Sequence, residues 1–234
     1  MRYRELWKVY QDVFDLSTIR AIDKLVNSGY LKDILSPISI GKEASVFLGI
    51  DKTGEYVAVK IYKVMVKDYK RMYEKLIEDP RFHGVQKSRV AIVLEWVKKE
   101  FRNLNKMYQA GVRVPMPIAF YRNVLVMEFI GEKGVPAPLL KDKYPEDPKK
   151  FWDKLWKNIE KMIKKAELVH GDLSEFNILN FKERPVIIDV SQALPIHAHN
   201  ALEYLKKDLQ NIVRFFNKLG LKLDFQELYL KLIS

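Results

Sequence analysis

The segment Leu168-Val169-His170-Gly171-Asp172-Leu173-Ser174-Glu175-Phe176-Asn177-Ile178-Leu179 places a carboxylate after one apolar stretch and an amide, five positions later, at the start of another. Phosphoryl transfer asks for such a pair: one group to orient an attacking hydroxyl and take its proton, and oxygen ligands for the cation that bridges the phosphates. Asp172 suits the first task and Asn177 the second. A further apolar run, Val186-Ile187-Ile188-Asp189-Val190-Ser191, ends in a carboxylate. A carboxylate there needs a cation or hydrogen bonds to compensate its desolvation. Mg²⁺ prefers hard oxygen ligands and keeps several waters, so Asp189, Asn177 and phosphate oxygens form an ordinary set. Taken singly, Asp172 reads equally as a solvated Asx turn and Asp189 as a strand-ending cap. The two segments in succession favour a site.

Two further constellations could hold a phosphate chain. In Tyr56-Val57-Ala58-Val59-Lys60-Ile61-Tyr62, strand alternation puts Lys60 on one face with Ala58 and Tyr62. Glu100 falls at Val97+3 and Leu104−4 in the apolar stripe of a helix expected over 89–109, with Lys98 and Lys99 expected to point outward. An inward carboxylate needs a partner, and Lys60 is the economical one; a stripe-edge position reaching solvent is the alternative. Ser39-Ile40-Gly41-Lys42-Glu43-Ala44-Ser45 has one glycine among small residues, enough to bring backbone N–H groups over phosphates but equally the pattern of an ordinary hairpin turn.

The elements that must position these groups follow from periodicity. Residues 1–36 read as a helical extension, with Leu16, Ile19, Ile22, Leu25 and Val26 at helical spacing. Pro37 is expected to open the strand region. The stretches 45–50 and 56–62 flank Asp51-Lys52-Thr53-Gly54, a hairpin turn, and residues 63–88 form a charged, partly helical and mobile insertion. The stripe of the 89–109 helix is Val90, Val93, Val97, Phe101, Leu104 and Tyr108. A second hairpin turns at Arg122-Asn123, and 131–148, rich in proline, is the inter-lobe joint. Helices at 150–165, 198–219 and 225–233 enclose short strands at 177–179 and 186–189. The β-rich first half and α-rich second half predict an α+β, two-lobed chain: a first lobe over 37–130 and a second over 131–234.

Composition narrows the function classes. There is no cysteine among 234 residues, which excludes a disulfide framework, a thiolate zinc site and a catalytic thiol. The longest apolar run, Val124 to Ile130, falls far short of the roughly 18 residues of a membrane span, and the charged N-terminus has no signal-peptide core. A cytoplasmic protein with no membrane partner is expected. Lysine and arginine total 41 against 30 acidic residues, a net charge of +11 that favours anionic partners without choosing among them.

Ile40-Gly41-Lys42-Glu43-Ala44, Val57-Ala58-Val59-Lys60, Lys99-Glu100-Phe101-Arg102-Asn103-Leu104, the 170–179 segment and Ile188-Asp189-Val190-Ser191-Gln192 together resemble the RIO atypical protein kinases over nearly the whole chain, the type-1 branch above all. The resemblance implies a protein-kinase-like fold with a reduced second lobe, an ATP substrate, and Mg²⁺ with Mn²⁺ as a substitute. It makes Lys60 the phosphate lysine and Glu100 its partner. Ile40, Gly41, Lys42, Ala44 and Ser45 become the phosphate loop, with Ala58 lining the nucleotide. Glu128 and Ile130 become the hinge that reads adenine through main-chain groups. Asp172 becomes the catalytic base, Asn177 and Asp189 the metal ligands. The family also implies an aspartyl-phosphate, here on Asp189, and work on small ribosomal subunit precursors or their rRNA.

Two departures from ordinary protein kinases carry weight. His170-Gly171-Asp172 has no arginine to receive an activation-loop phosphate, and only 45 residues follow Asp189, too few for an activation segment and peptide-substrate helices. The working reaction is therefore Ser/Thr transfer to a substrate docked elsewhere, with Ser88 a candidate autophosphorylation site, or ATP hydrolysis. Two other readings stand beside it. One is a small-molecule or tRNA-modification-complex kinase of the same fold. The other is a non-catalytic pre-rRNA scaffold, to which Lys63, Lys67, Lys70, Lys75, Lys87, Arg71, Arg81 and Arg89, interleaved with Tyr69, Tyr73 and Phe82, would contribute; a merely solvated charged surface explains that segment as well. Asp208 reads either as a support beneath the catalytic loop or as an exposed helix carboxylate, and His170 as a brace rather than a base. No histidine is read as a metal ligand.

Overall fold

The computed structural model describes residues 13–65 and 68–234. They form two compact units. One holds the described residues up to Ile77, with Arg81–Arg102 and Met116–Pro136; the other holds Glu78–Pro80, Asn103–Pro115 and Ala137–Ser234. The helical reading of residues 1–12, and Lys67 of the basic segment, lie outside the described residues.

The first unit is a helix-covered antiparallel sheet. Asp15 caps helix α1 (Leu16–Asn27), accepting from the Thr18 N–H at 2.6 Å. Strands β1 (Asp33–Ile40), β2 (Ala44–Ile50), β3 (Tyr56–Tyr62), β4 (Pro117–Tyr121) and β5 (Val124–Glu128) pair in the order β1-β2-β3-β5-β4. The period of two sorts β3 cleanly. Val57, Val59 and Ile61 join Phe14, Ala21, Ile22, Leu25, Phe47 and Val126 in the apolar cluster that carries α1. Ala58, Lys60 and Tyr62 therefore face the other way. Asn123, in the β4–β5 turn, ties that cluster together: its buried Nδ2 donates to Thr18 Oγ1 and to the Tyr62 carbonyl, each at 2.8 Å.

Three expectations need correction. β1 starts at Asp33, four residues before Pro37, and runs through it; the strand is at the sheet edge and its register shifts on either side of the proline, which is how an edge strand tolerates a missing N–H. The insertion is anchored, with helix α2 (Tyr69–Ile77) and a 3₁₀ turn (Pro80–Phe82) burying Met72, Leu76 and Phe82. Helix α3 (Arg89–Gln109) has the expected length but a wider inner face. Val90 and Tyr108 are exposed, whereas Ile92, Trp96 and Met107 are buried, and Lys99, expected outside, is 1% exposed with its ammonium over the Trp96 ring at 5.7 Å.

The second unit is built on α4 (Pro148–Lys164), α5 (Ala201–Lys218) and α6 (Phe225–Ile233). Trp152 packs edge-on against Phe216 at 5.3 Å and stacks on Trp156 at 5.6 Å. Two short ladders cross this unit: β8 (Leu168–Val169) with β11 (Leu194–Pro195), and β9 (Ile178–Asn180) with β10 (Pro185–Ile187). Between the units' last two pieces, β6 (Gly131–Glu132) and β7 (Val135–Pro136) form a small hairpin within 131–148. No helix among the described residues is long and apolar enough to cross a membrane.

Candidate active site

In the first unit, Lys60 and Glu100 form an enclosed ion pair. Lys60 Nζ lies 2.8 Å from Glu100 Oε1, with the two residues 7% and 1% exposed. The second carboxylate oxygen accepts from the Tyr62 hydroxyl, two positions along the same strand face, and the Lys60 ammonium sits 5.1 Å from the Tyr62 ring centre. Two donors on one carboxylate satisfy a charge that burial would otherwise penalise. The pairing expected from periodicity is present; the tyrosine that completes it was legible in the same alternation and went unused.

The loop before β2 turns tightly. The Gly41 N–H donates to the Ala44 carbonyl at 3.0 Å, and a Cβ on Gly41 would come within 2.7 Å of that oxygen, so no larger residue fits this turn. Ile40 and Lys42 are exposed. Ser45 is placed differently from what the phosphate-loop reading suggests. It lies opposite Ile61, on the α1 side of the sheet, and its hydroxyl is fully buried without a partner among the described residues. Only its main chain is available to a ligand. At the far end of β5, the Glu128 N–H donates to the Met116 carbonyl at 2.8 Å and the Glu128 carboxylate accepts from the Met116 N–H at 3.0 Å, which leaves the Glu128 carbonyl as its main-chain group for an adenine; Ile130 is buried.

In the second unit, the loop from β8 to β9 carries Asp172 and Asn177, and the loop from β10 to β11 carries Asp189. They adjoin. The Ile188 N–H donates to the Asn177 carbonyl at 3.0 Å, and the His170 Nε2–H to the Ile188 carbonyl at 3.0 Å. Asn177 Nδ2 donates to the Asp172 carbonyl at 2.8 Å, which leaves its Oδ1 with no donor among the described residues. Asp172 and Asp189 are exposed. Asp189 takes the left-handed conformation (φ 55°, ψ 58°) and accepts from the Ser191 hydroxyl at 3.0 Å. Two exposed carboxylates and a free amide oxygen are all hard donors, a set that fits Mg²⁺ completed by waters and phosphate.

Buried polar groups hold both loops. Asp208, on α5, accepts from the Gly171 N–H at 2.8 Å and the Leu173 N–H at 2.7 Å, bracketing Asp172. Gly171 has φ +81°, a conformation suited to glycine, which directs its N–H at that acceptor. Burial pushes the Asp208 carboxyl above the usual aspartate range, against the pull of nearby His170 and its two N–H donors. Asn103, on α3, donates to the carbonyls of Val190 at 2.9 Å and Ala193 at 2.7 Å. The support expected for Asp208 is the observed one. Asn103 carried no assigned role, although an amide beside Leu104 in an apolar stripe was a signal to look for such a clamp.

The RIO domain family matches residues 45–228. The RIO-type serine/threonine-protein kinase Rio1 of Haloferax volcanii is 41% identical over 223 residues, covering 95% of this chain and 77% of that protein. The chain belongs to the RIO family of protein kinases. The RIO-type kinase Rio1 of Methanocaldococcus jannaschii is 37% identical, with 97% of this chain and 78% of that protein covered. Human serine/threonine-protein kinase RIO1 is 37% identical over 88% of this chain, which spans 37% of the human protein. The RIO fold is matched by a crystal structure of the Rio2 kinase from Chaetomium thermophilum, an ADP/Mg²⁺-phosphoaspartate complex, at TM-score 0.66 and 24% identity, covering 89% of this chain and 64% of that one. Eleven residues, 190–200, separate Asp189 from the RIO helix α5, so this stretch holds no long activation segment.

Proposed function

We propose that this RIO-type kinase uses ATP with Mg²⁺ and passes the γ-phosphoryl group through Asp189. The observation that carries the reading is the adjoining pair of loops that bring Asp172, Asn177 and Asp189 together over buried supports. Asn177 Oδ1 and the Asp189 carboxylate would hold the cation, which when bound neutralises phosphate charge. Lys60, kept aimed by Glu100 and Tyr62, holds the α- and β-phosphates; the backbone of Gly41 to Ala44 covers them. The Glu128 carbonyl and the Ile130 N–H read the adenine, with Ala58 beside it. Asp172 orients an attacking hydroxyl or water and accepts its proton.

In the aspartyl step, one Asp189 carboxylate oxygen forms a bond to the γ-phosphorus as the bond to the β–γ bridging oxygen breaks, and ADP leaves. Water, or a serine or threonine hydroxyl, then attacks phosphorus and restores the carboxylate, its proton passing to Asp172. The short stretch after Asp189 supports hydrolysis, or transfer to a substrate gripped elsewhere. The RIO resemblance and the +11 charge support work in the cytoplasm on small ribosomal subunit precursors.

The protein incubated with γ-labelled ATP and Mg²⁺, quenched and treated with hydroxylamine, tests the chemistry. An acyl phosphate releases its label and a serine or threonine ester keeps it. Label released by hydroxylamine and absent from the Asp189→Asn variant is the expected result. Label that resists hydroxylamine throughout removes the aspartyl step and leaves direct Ser/Thr transfer.

A further inference from the structure

The first unit carries a second, charged concavity that the nucleotide chemistry does not use. It is a depression of about 460 Å³ lined by Arg81, Phe82, His83, Gln86, Glu95 and Arg102. Its floor is the buried ring of Phe82, with two guanidinium groups over it: Arg81 at 5.8 Å and Arg102 at 5.6 Å from the ring centre. A guanidinium over an aromatic ring keeps its N–H edge available, and that edge matches two oxygens of a phosphate. The one carboxylate in the lining, Glu95, is already ion-paired with Lys98 on the next turn of α3. The depression is therefore cationic, with His83 and Gln86 as further donors.

The same segment repeats the motif. Arg89 lies over Tyr69 at 4.7 Å and Lys87 over Tyr73 at 5.2 Å, and Lys70 and Arg71 are exposed on α2. A single phosphoryl group would occupy one of these positions. A chain carrying one charge per residue would occupy the series, which favours a polyanion over a phosphopeptide. Phe82 is 2% exposed and cannot stack on a base, so recognition here is of phosphates and tolerates any sequence.

We propose that this depression is a docking point for backbone phosphates of single-stranded RNA, with Arg81 and Arg102 the principal contacts. The proposal deepens, and rests on, the RNA-partner part of the reading above; it is independent of the phosphoryl chemistry.

Anisotropy of a labelled oligouridylate, titrated with the full chain over a range of salt, tests it. The unaltered protein is compared with Arg81→Gln/Arg102→Gln and with a control of equal charge loss in the other unit, Lys149→Gln/Lys207→Gln. For a single strand each lost phosphate contact lowers the slope of log affinity against log salt by about 0.7, so the double variant drops by about 1.4 while the control keeps its slope. ATP turnover in all three proteins stays unchanged, which shows that the fold is intact. An equal loss in variant and control means diffuse charge, and overturns the pocket while leaving an RNA partner. No binding by the unaltered protein overturns both. A phosphoserine peptide that binds more tightly than the oligonucleotide and competes with it also overturns the proposal. The same pattern with oligothymidylate supports a phosphodiester contact that does not read the 2′-hydroxyl.

Discussion

The first unit encloses its charge. Lys60 and Glu100 hold each other out of water on a strand and a helix, with Tyr62 completing the carboxylate's bonds. The second unit leaves its charge open: Asp172 and Asp189 stand exposed on turns, and what is buried lies beneath them, in Asp208 and Asn103. The contrast separates two ways of aiming an ionised group. A cation that must keep one position is fixed through its own partner. Acids that must exchange ligands stay solvated, and are fixed through the backbone that carries them. In one case charge and position share the same atoms; in the other they are divided between residues.

The sharpest way to break this comparison is Asp189→Ala. Phosphoryl transfer and ATP turnover are expected to fall by about a thousandfold or more, the scale of several kcal/mol of charge stabilisation, while the urea midpoint barely moves because the side chain is exposed. Turnover that survives the change would count against the proposed role. In the enclosed region activity and stability should fall together. Glu100→Ala strands the Lys60 ammonium and is expected to destabilise by about 3–5 kcal/mol in urea unfolding, whereas Lys60→Met with Glu100→Leu should recover most of that stability and none of the nucleotide affinity.

The smallest effect sharpens the second half of the contrast. Asp208→Asn offers one carbonyl oxygen where a carboxylate served two N–H groups, a loss of about 1–3 kcal/mol. Because burial raises the folded-state pKa of Asp208, the fold binds that proton more tightly than the unfolded chain does. Its contribution is therefore fully present below the unfolded value and declines as pH rises towards the raised folded one. Unfolding midpoints followed upward from about pH 4 should show this decline in the unaltered protein and lose it in Asp208→Asn; a slope common to both would assign it to another group.

Much of this arrangement was legible in the chain. Period-two alternation in β3 placed Lys60 on the side away from Val59 and Ile61, and helical spacing put Glu100 inward. What stayed hidden depended on contacts that no period records. Lys99 reads as a solvent lysine, yet α3 is buried over more than one stripe, so its stem is covered and Val90 is turned out. Ser45 belonged to a promising loop, but which side of β2 faces α1 is a matter of register against Ile61. Asp208 held two readings because Leu205, Leu209 and Ile212 put it on the inner face of α5 while its type argued for the outer one; the unpaired N–H groups of the neighbouring loop settled the matter.

The backbone at Asp189 sits in a region that a side chain enters at a penalty of roughly 1–2 kcal/mol, which aspartate tolerates better than most and glycine avoids altogether. Selection of this chain for heat tolerance alone would thus reward replacing the one carboxylate assigned to carry the phosphoryl group. Hardier descendants would be recovered with their chemistry silenced, and only a screen that counts turnovers would notice.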